Sequence, residues 1–67
     1  DFEDFRTALG KLPAEQREAL LLIGAASLSY EEAAQVMDCA VGTVKSRVNR
    51  ARQLLRGMLG DMEGTEL

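Results

Sequence analysis

The sequence predicts an all-α domain of four short helices, the last two separated by a tight turn and followed by no wing. Three observations predict it. Phe2, Phe5, Leu9 and Leu12 near one end, and Val44, Val48, Ala51 and Leu55 near the other, recur at the spacing of one helix face. Helix-start signals stand at Leu12-Pro13 and at Ser29-Tyr30-Glu31-Glu32, and turn residues stand at Gly10 and Asp38. No internal repeat, low-complexity tract or long linker interrupts the 67 residues, a length that suits one small domain.

The first helix is expected to run to about Leu9. Asp1, Glu3 and Asp4 lie where negative charge favours a helix N-terminus, and Gly10 is expected to stop the helix as a left-handed glycine just past its end. Pro13 then opens a second helix in its first turn, where a missing N–H costs nothing. That helix, PAEQREALLLIGA, starts polar and becomes apolar on every side from Ala19 to Ile23, so its end is either buried or offered to a partner.

After a short connection over Ala25 to Leu28, Ser29 and Glu32 have the spacing of a capping box. The hydroxyl accepts from the N–H three residues on, and the carboxylate reaches back. This places a third helix from Tyr30 to about Met37, with Ala33, Ala34, Val36 and Met37 as its expected inner face. Asp38 and Cys39 make the turn, because Asp tolerates left-handed and cap conformations. The fourth helix covers Ala40 to Leu59, and the domain is expected to end there. The last eight residues, GDMEGTEL, contain two glycines and no periodicity, and are expected to form a flexible tail over 60–67.

Charge is distributed unevenly along this framework. The net charge is −3 and the pI about 4.8, which on their own argue against a general nucleic-acid binder. Asp1 to Ala40, however, carries eight acids and three bases, Val41 to Leu59 carries five bases and no acid, and Gly60 to Leu67 carries three acids. The fourth helix is therefore a positive strip on a negative body, which disfavours indiscriminate DNA binding and enforces one orientation. At about 100° per residue, Val44, Val48, Ala51 and Leu55 fall on one side of it, and Ser46, Asn49, Arg50 and Gln53 on the other. Lys45 and Arg52 flank one edge and Arg47 the other. One docking face and one basic, hydrogen-bonding face are what insertion into a DNA major groove requires.

Other chemistries lack their residues. The chain has no histidine and one cysteine, so neither a Cys/His zinc site nor an internal disulfide is expected, and both facts suit a reducing cytoplasm. The longest apolar run, Ala19 to Ile23, is far short of the roughly 20 residues that span a bilayer. Glu31/Glu32 and Asp1/Glu3/Asp4 are paired carboxylates without a nucleophile–base pair to join them. They read as solvated faces and helix starts, and no catalytic residue or cofactor is assigned.

Ala34 in the middle of one helix, Asp38 four residues on, and Val44 as an apolar anchor in the next match the helix-turn-helix pattern, in which a small residue permits close crossing. An αα-hairpin of any small bundle would share that spacing. It would not explain a fourth helix free of Glu. Arg50 and Lys45 are candidates for base edges, as donors to guanine O6 and N7. Asn49 is a candidate for adenine, against the reading of a solvated surface asparagine. Ser46 and Thr43 suit phosphate or a close base approach, or simple N-terminal polarity. Arg47 and Arg52 reach phosphates, or pair with Glu31 or Glu32. Tyr30 touches a phosphate beside a helix N-terminus, or only staples the helix end, and Cys39 caps or packs.

LPAEQREALLL followed by LSYEEAAQVMDCAVGTVKSRVNRAR resembles region 4 of bacterial extracytoplasmic-function sigma factors, over about Leu12 to Leu55. The run GAASLSYEEAAQVMDCAVGTVKSRVNRAR is similar to the alphaproteobacterial general-stress-response subgroup, the EcfG type. The resemblance implies recognition of the −35 promoter element through Thr43, Lys45, Ser46, Arg47, Asn49 and Arg50. It also implies docking on the flap of the RNA polymerase β subunit. The candidate residues for that are Leu20, Leu21, Leu22 and Ile23 of the second helix with Leu54, Leu55, Met58 and Leu59 of the fourth. In the EcfG-type subgroup a NepR-like anti-sigma protein sequesters the factor, and a response regulator with a sigma-like domain releases it by mimicry. Nothing resembling region 2 is present and there is no initiating methionine, so a piece of a longer factor is expected, unable to initiate transcription alone.

Two other readings belong to different classes. A sigma mimic that binds an anti-sigma protein and never DNA has no reason to keep Lys45, Arg47, Arg50 and Arg52. A one-component or response-regulator helix-turn-helix would want a ligand or receiver domain and a dimer surface, and the sequence contains neither.

Overall fold

A computed structural model describes residues 2–66, with side chains described through Leu59. Among these residues are four helices and no strand: α1 (Phe2–Gly10), α2 (Ala14–Gly24), α3 (Tyr30–Met37) and α4 (Val41–Glu66). The tail expected over 60–67 falls outside the residues with described side chains.

The first turn differs from the sequence expectation. Gly10 is the last residue of α1 rather than a left-handed stop, and no described glycine has a positive φ. Short-range bonds close the turn instead, from Lys11 N to Ala8 O (3.0 Å) and from Leu12 N to Leu9 O (3.2 Å). The Arg17 guanidinium donates to Gly10 O at 3.3 Å and Leu12 O at 3.1 Å. With these carbonyls supplied by an arginine one turn into α2, the αL conformation is not needed to satisfy them. Pro13 lies one position earlier than expected, as an extended cap (φ −54°, ψ 145°) whose carbonyl accepts from Arg17 N.

The second half follows its local signals closely. Glu32 N donates to Ser29 Oγ at 3.0 Å and Ser29 N donates to Glu32 Oε1 at 2.8 Å, completing the capping box at the start of α3. Asp38 adopts the left-handed conformation at φ 56°, and Cys39 N donates back to Ala34 O at 3.0 Å, so the chain reverses without a glycine. Ser27 is also left-handed (φ 62°), in the turn where Leu28 N donates to Leu22 O. Serine carries no strong signal for that conformation, and the sequence did not announce it.

Two apolar clusters hold the helices, and α4 contributes to both. Val44 and Val48, fully buried, pack with Ala19 of α2 and Ala33 and Ala34 of α3. One and two turns further on, Ala51 and Leu55 pack with Ala8 of α1 and Leu12 of the turn. Leu20 reaches both clusters and joins them. Ala33 and Ala34 are buried where α3 packs on α4, the place at which the helix-turn-helix spacing called for small residues. Val36, expected on the inner face of α3, is 59% exposed. The face centred on Ala33, Ala34 and Met37 lies about 100° from it around the helix. Phe2 (74% exposed) and Phe5 (41%) also stay outside, because Ala8 and Leu12 make the buried part of the α1 contact.

Candidate nucleic-acid interface

The buried side of α4 determines what its other side presents. With Val44, Val48, Ala51 and Leu55 facing inward, Lys45, Ser46, Asn49, Arg50, Arg52 and Gln53 are all exposed. The first turn of α4 contains no acidic residue, although acids are favoured there, so the positive end of the helix is left uncompensated. Glu15, Gln16, Thr43, Ser46, Arg47 and Arg50 line an open depression of about 430 Å³ between the start of α2 and the first turns of α4. It offers hydroxyls, an amide, two guanidinium groups and one carboxylate. That set can bind phosphate oxygens or base edges.

Three predicted contacts acquire partners within the fold. Lys45 Nζ lies 5.5 Å from the centroid of the Tyr30 ring, a cation–π contact that leaves the ammonium at the surface. Arg47 is half-buried; its Nη2 lies 3.9 Å from Glu15 Oε1, and its Nη1 donates towards Cys39 Sγ at 3.9 Å. The expected partners of Arg47, Glu31 and Glu32, are not the ones it meets, because Glu32 is engaged in the capping box and α2 offers Glu15 across the depression. Thr43 and Tyr30 are half-buried at the edges of the face. Glu15 and Gln16 were not singled out from the sequence. The polar start of α2 was a weak signal for them, since any surface helix can begin that way.

The apolar candidates do not form one surface. Leu20, Leu21 and Leu55 line a groove of about 330 Å³ with Phe5 and Leu9, whereas Met58 and Leu59 line another against Asp4, Thr7 and Lys11 on a different side of α1. Leu55 is only 8% exposed and packs with Ala8, Leu12 and Ala51, so it contributes little area to the groove it lines. Leu22 and Ile23 pack partly on the first cluster, while Leu21, Leu54 and Met58 are 40–44% exposed. Phe5 and Leu9 were missed as groove residues, although the apolar stripe of α1 was visible. Among the described residues no helix is long and apolar enough to cross a membrane, and no group of His, Cys, Asp or Glu could hold a metal ion.

A small all-α body that turns outward from a helix-turn-helix a helix that is basic and free of acid from Val41 to Leu59 defines a domain of the DNA-binding regulator class. The family described as Sigma-70, region 4 matches residues 2–55, and the chain belongs to that family. It is 63% identical over 59 residues to the ECF RNA polymerase sigma factor EcfG of Rhodopseudomonas palustris (strain TIE-1), covering 88% of this chain and 33% of that protein. It is 51% identical over 51 residues to the ECF RNA polymerase sigma-E factor of Escherichia coli (strain K12), covering 76% and 26%. Among solved structures it is similar to the sigma factor RpoE in its co-crystal with the anti-sigma factor NepR from Bartonella quintana. There the TM-score is 0.85 and the identity 55%, with 90% of this chain and 38% of that one covered. The chain thus spans about a third of the length of the EcfG relative.

Proposed function

We propose that the chain is the −35-reading domain of an extracytoplasmic-function sigma factor, a non-enzymatic module that directs RNA polymerase in the cytoplasm to stress-response promoters. The observation that carries this reading is the outer face of α4. Lys45, Ser46, Asn49, Arg50 and Arg52 are exposed together, with no acid between Val41 and Leu59, on the side of α4 opposite the one that packs into both apolar clusters. In this reading Arg50 and Lys45 donate to base edges, Asn49 reads adenine, and Thr43, Ser46 and Tyr30 meet the backbone. Arg47 and Arg52 supply charge at the two flanks.

The apolar groove at Leu20 and Leu21 is the surface offered to the β flap of polymerase, and Leu54, Met58 and Leu59 are a second, separate apolar stretch along α4. A NepR-like anti-sigma protein is a further proposed partner. The similarity to a sigma factor solved with NepR supports it. Titration of the 67-residue chain at fixed salt against a duplex carrying the −35 element and a scrambled duplex tests the reading. Tighter binding to the first is expected; equal affinity for both would sink the claim of specificity, and binding to neither would leave the sigma-mimic reading in its place.

A further inference from the structure

We infer that Glu15, which lies on α2 and outside the recognition helix, is a positioning residue for Arg47 that sets how well the domain distinguishes its site from other DNA. The inference rests on the DNA-reading function proposed above. Glu15 is the one carboxylate lining the depression among the described residues, and every other charged group there is a guanidinium of α4. Its Oε1 lies 3.9 Å from Arg47 Nη2 while Cys39 Sγ receives the other nitrogen at 3.9 Å, so the guanidinium has a long polar contact on each of two sides. The helix dipole accounts for an acid in the first turn of α2, but not for a carboxylate reaching across to α4. Fold stability does not account for it either, since the Glu15 side chain is 74% exposed and such pairs contribute little.

At a DNA surface the pair has two effects. A carboxylate facing phosphates opposes close approach of any duplex, and it neutralises one arginine that would otherwise displace a counterion. A guanidinium held in one place also serves only the register in which its target comes to it, whereas a free one follows any nearby phosphate. Both effects weaken non-specific complexes. In the specific complex the preset orientation of Arg47 offsets the repulsion. Glu15 therefore widens the gap between specific and non-specific affinity.

Fluorescence anisotropy of the full 67-residue chain tests this, using a duplex selected from a randomised pool and a scrambled version, each over a range of salt. Glu15→Gln is expected to tighten the scrambled complex about two- to fivefold, the range of an exposed ion pair, and to change the selected complex less. Its salt slope on scrambled DNA should steepen by about 0.9, one additional phosphate neutralised. Glu18→Gln, which removes the same charge from an exposed position of α2 outside the depression, should shift both duplexes by one common factor. In an Arg47→Gln background the effect of Glu15→Gln on the ratio should vanish. Equal shifts on both duplexes for Glu15→Gln, or persistence of its effect without Arg47, would overturn the role of Glu15 while leaving DNA reading intact. A wild-type chain that fails to separate the two duplexes would overturn both.

Discussion

Replacing Val48 with alanine tests whether one face of α4 builds the fold while the other remains free for DNA. Val48 is fully buried among Ala19, Ala33, Ala34 and Val44, in a cluster against which Leu20, Leu22, Ile23 and Met37 also pack. Two methyl groups are lost, worth about 1.6 kcal/mol in transfer, and the unfilled cavity raises the cost to about 2–3 kcal/mol. A domain of 67 residues has a stability of roughly 3–10 kcal/mol, so this is a large fraction of it. At about 4–8 °C per kcal/mol the midpoint of thermal unfolding, followed by circular dichroism at the helix band, should fall by roughly 10–20 °C. The adjacent Asn49 is exposed, and Asn49→Ala should stay within about 0.5 kcal/mol of the wild type. At low temperature the pattern inverts: Val48→Ala should retain DNA affinity per folded molecule, while Asn49→Ala loses it. Were Val48→Ala to melt within a few degrees of wild type, the packing of α4 described above would be wrong.

Arg50→Ala should weaken the −35 complex by about 1–3 kcal/mol and relax selection at one base position, read by repeating a pool selection with the variant. A uniform loss across sequences would make Arg50 a phosphate contact. Ser29→Ala removes the hydroxyl that accepts from Glu32 N and should cost about 1 kcal/mol by chemical denaturation, with Ser29→Gly milder. Arg17→Ala frees the carbonyls of Gly10 and Leu12 and should cost about 1 kcal/mol; amide exchange should quicken in α1 before α3. Leu21→Asp and Met58→Asp alter exposed positions, so unfolding should change by about 0.5 kcal/mol or less. Capture by an isolated β-flap fragment should drop sharply with Leu21→Asp, and unchanged capture would remove the α2 groove as the polymerase surface.

What was legible in the sequence was local. The capping box at Ser29 and Glu32, the left-handed turn at Asp38 and the inward set Val44, Val48, Ala51 and Leu55 all depend on residues within a turn or two of one another, and each appears where the spacing placed it. The exposure of Lys45, Ser46, Asn49 and Arg50 followed, because burying one side of a helix exposes the other. Less was legible where partners come from distant segments. Arg17 takes over the end of α1 from Gly10, and Glu15 rather than Glu31 or Glu32 meets Arg47, because tertiary packing brings the start of α2 to those places. For Leu55 the spacing placed the side chain on the inward face, but the residues it meets there, Ala8 and Leu12, come from distant segments.

The claim that α4 enters the major groove has a direct chemical test. Methylation of guanine N7 obstructs the major groove, and methylation of adenine N3 obstructs the minor groove, so interference with each modification reports which groove the protein occupies. With the 67-residue chain and a duplex bearing the −35 element, N7 methylation at one or more guanines of the element is expected to abolish binding, and N3 methylation is expected to be tolerated. Binding that is indifferent to N7 methylation and lost on N3 methylation would contradict the placement of Lys45, Asn49 and Arg50 on the bases of the major groove.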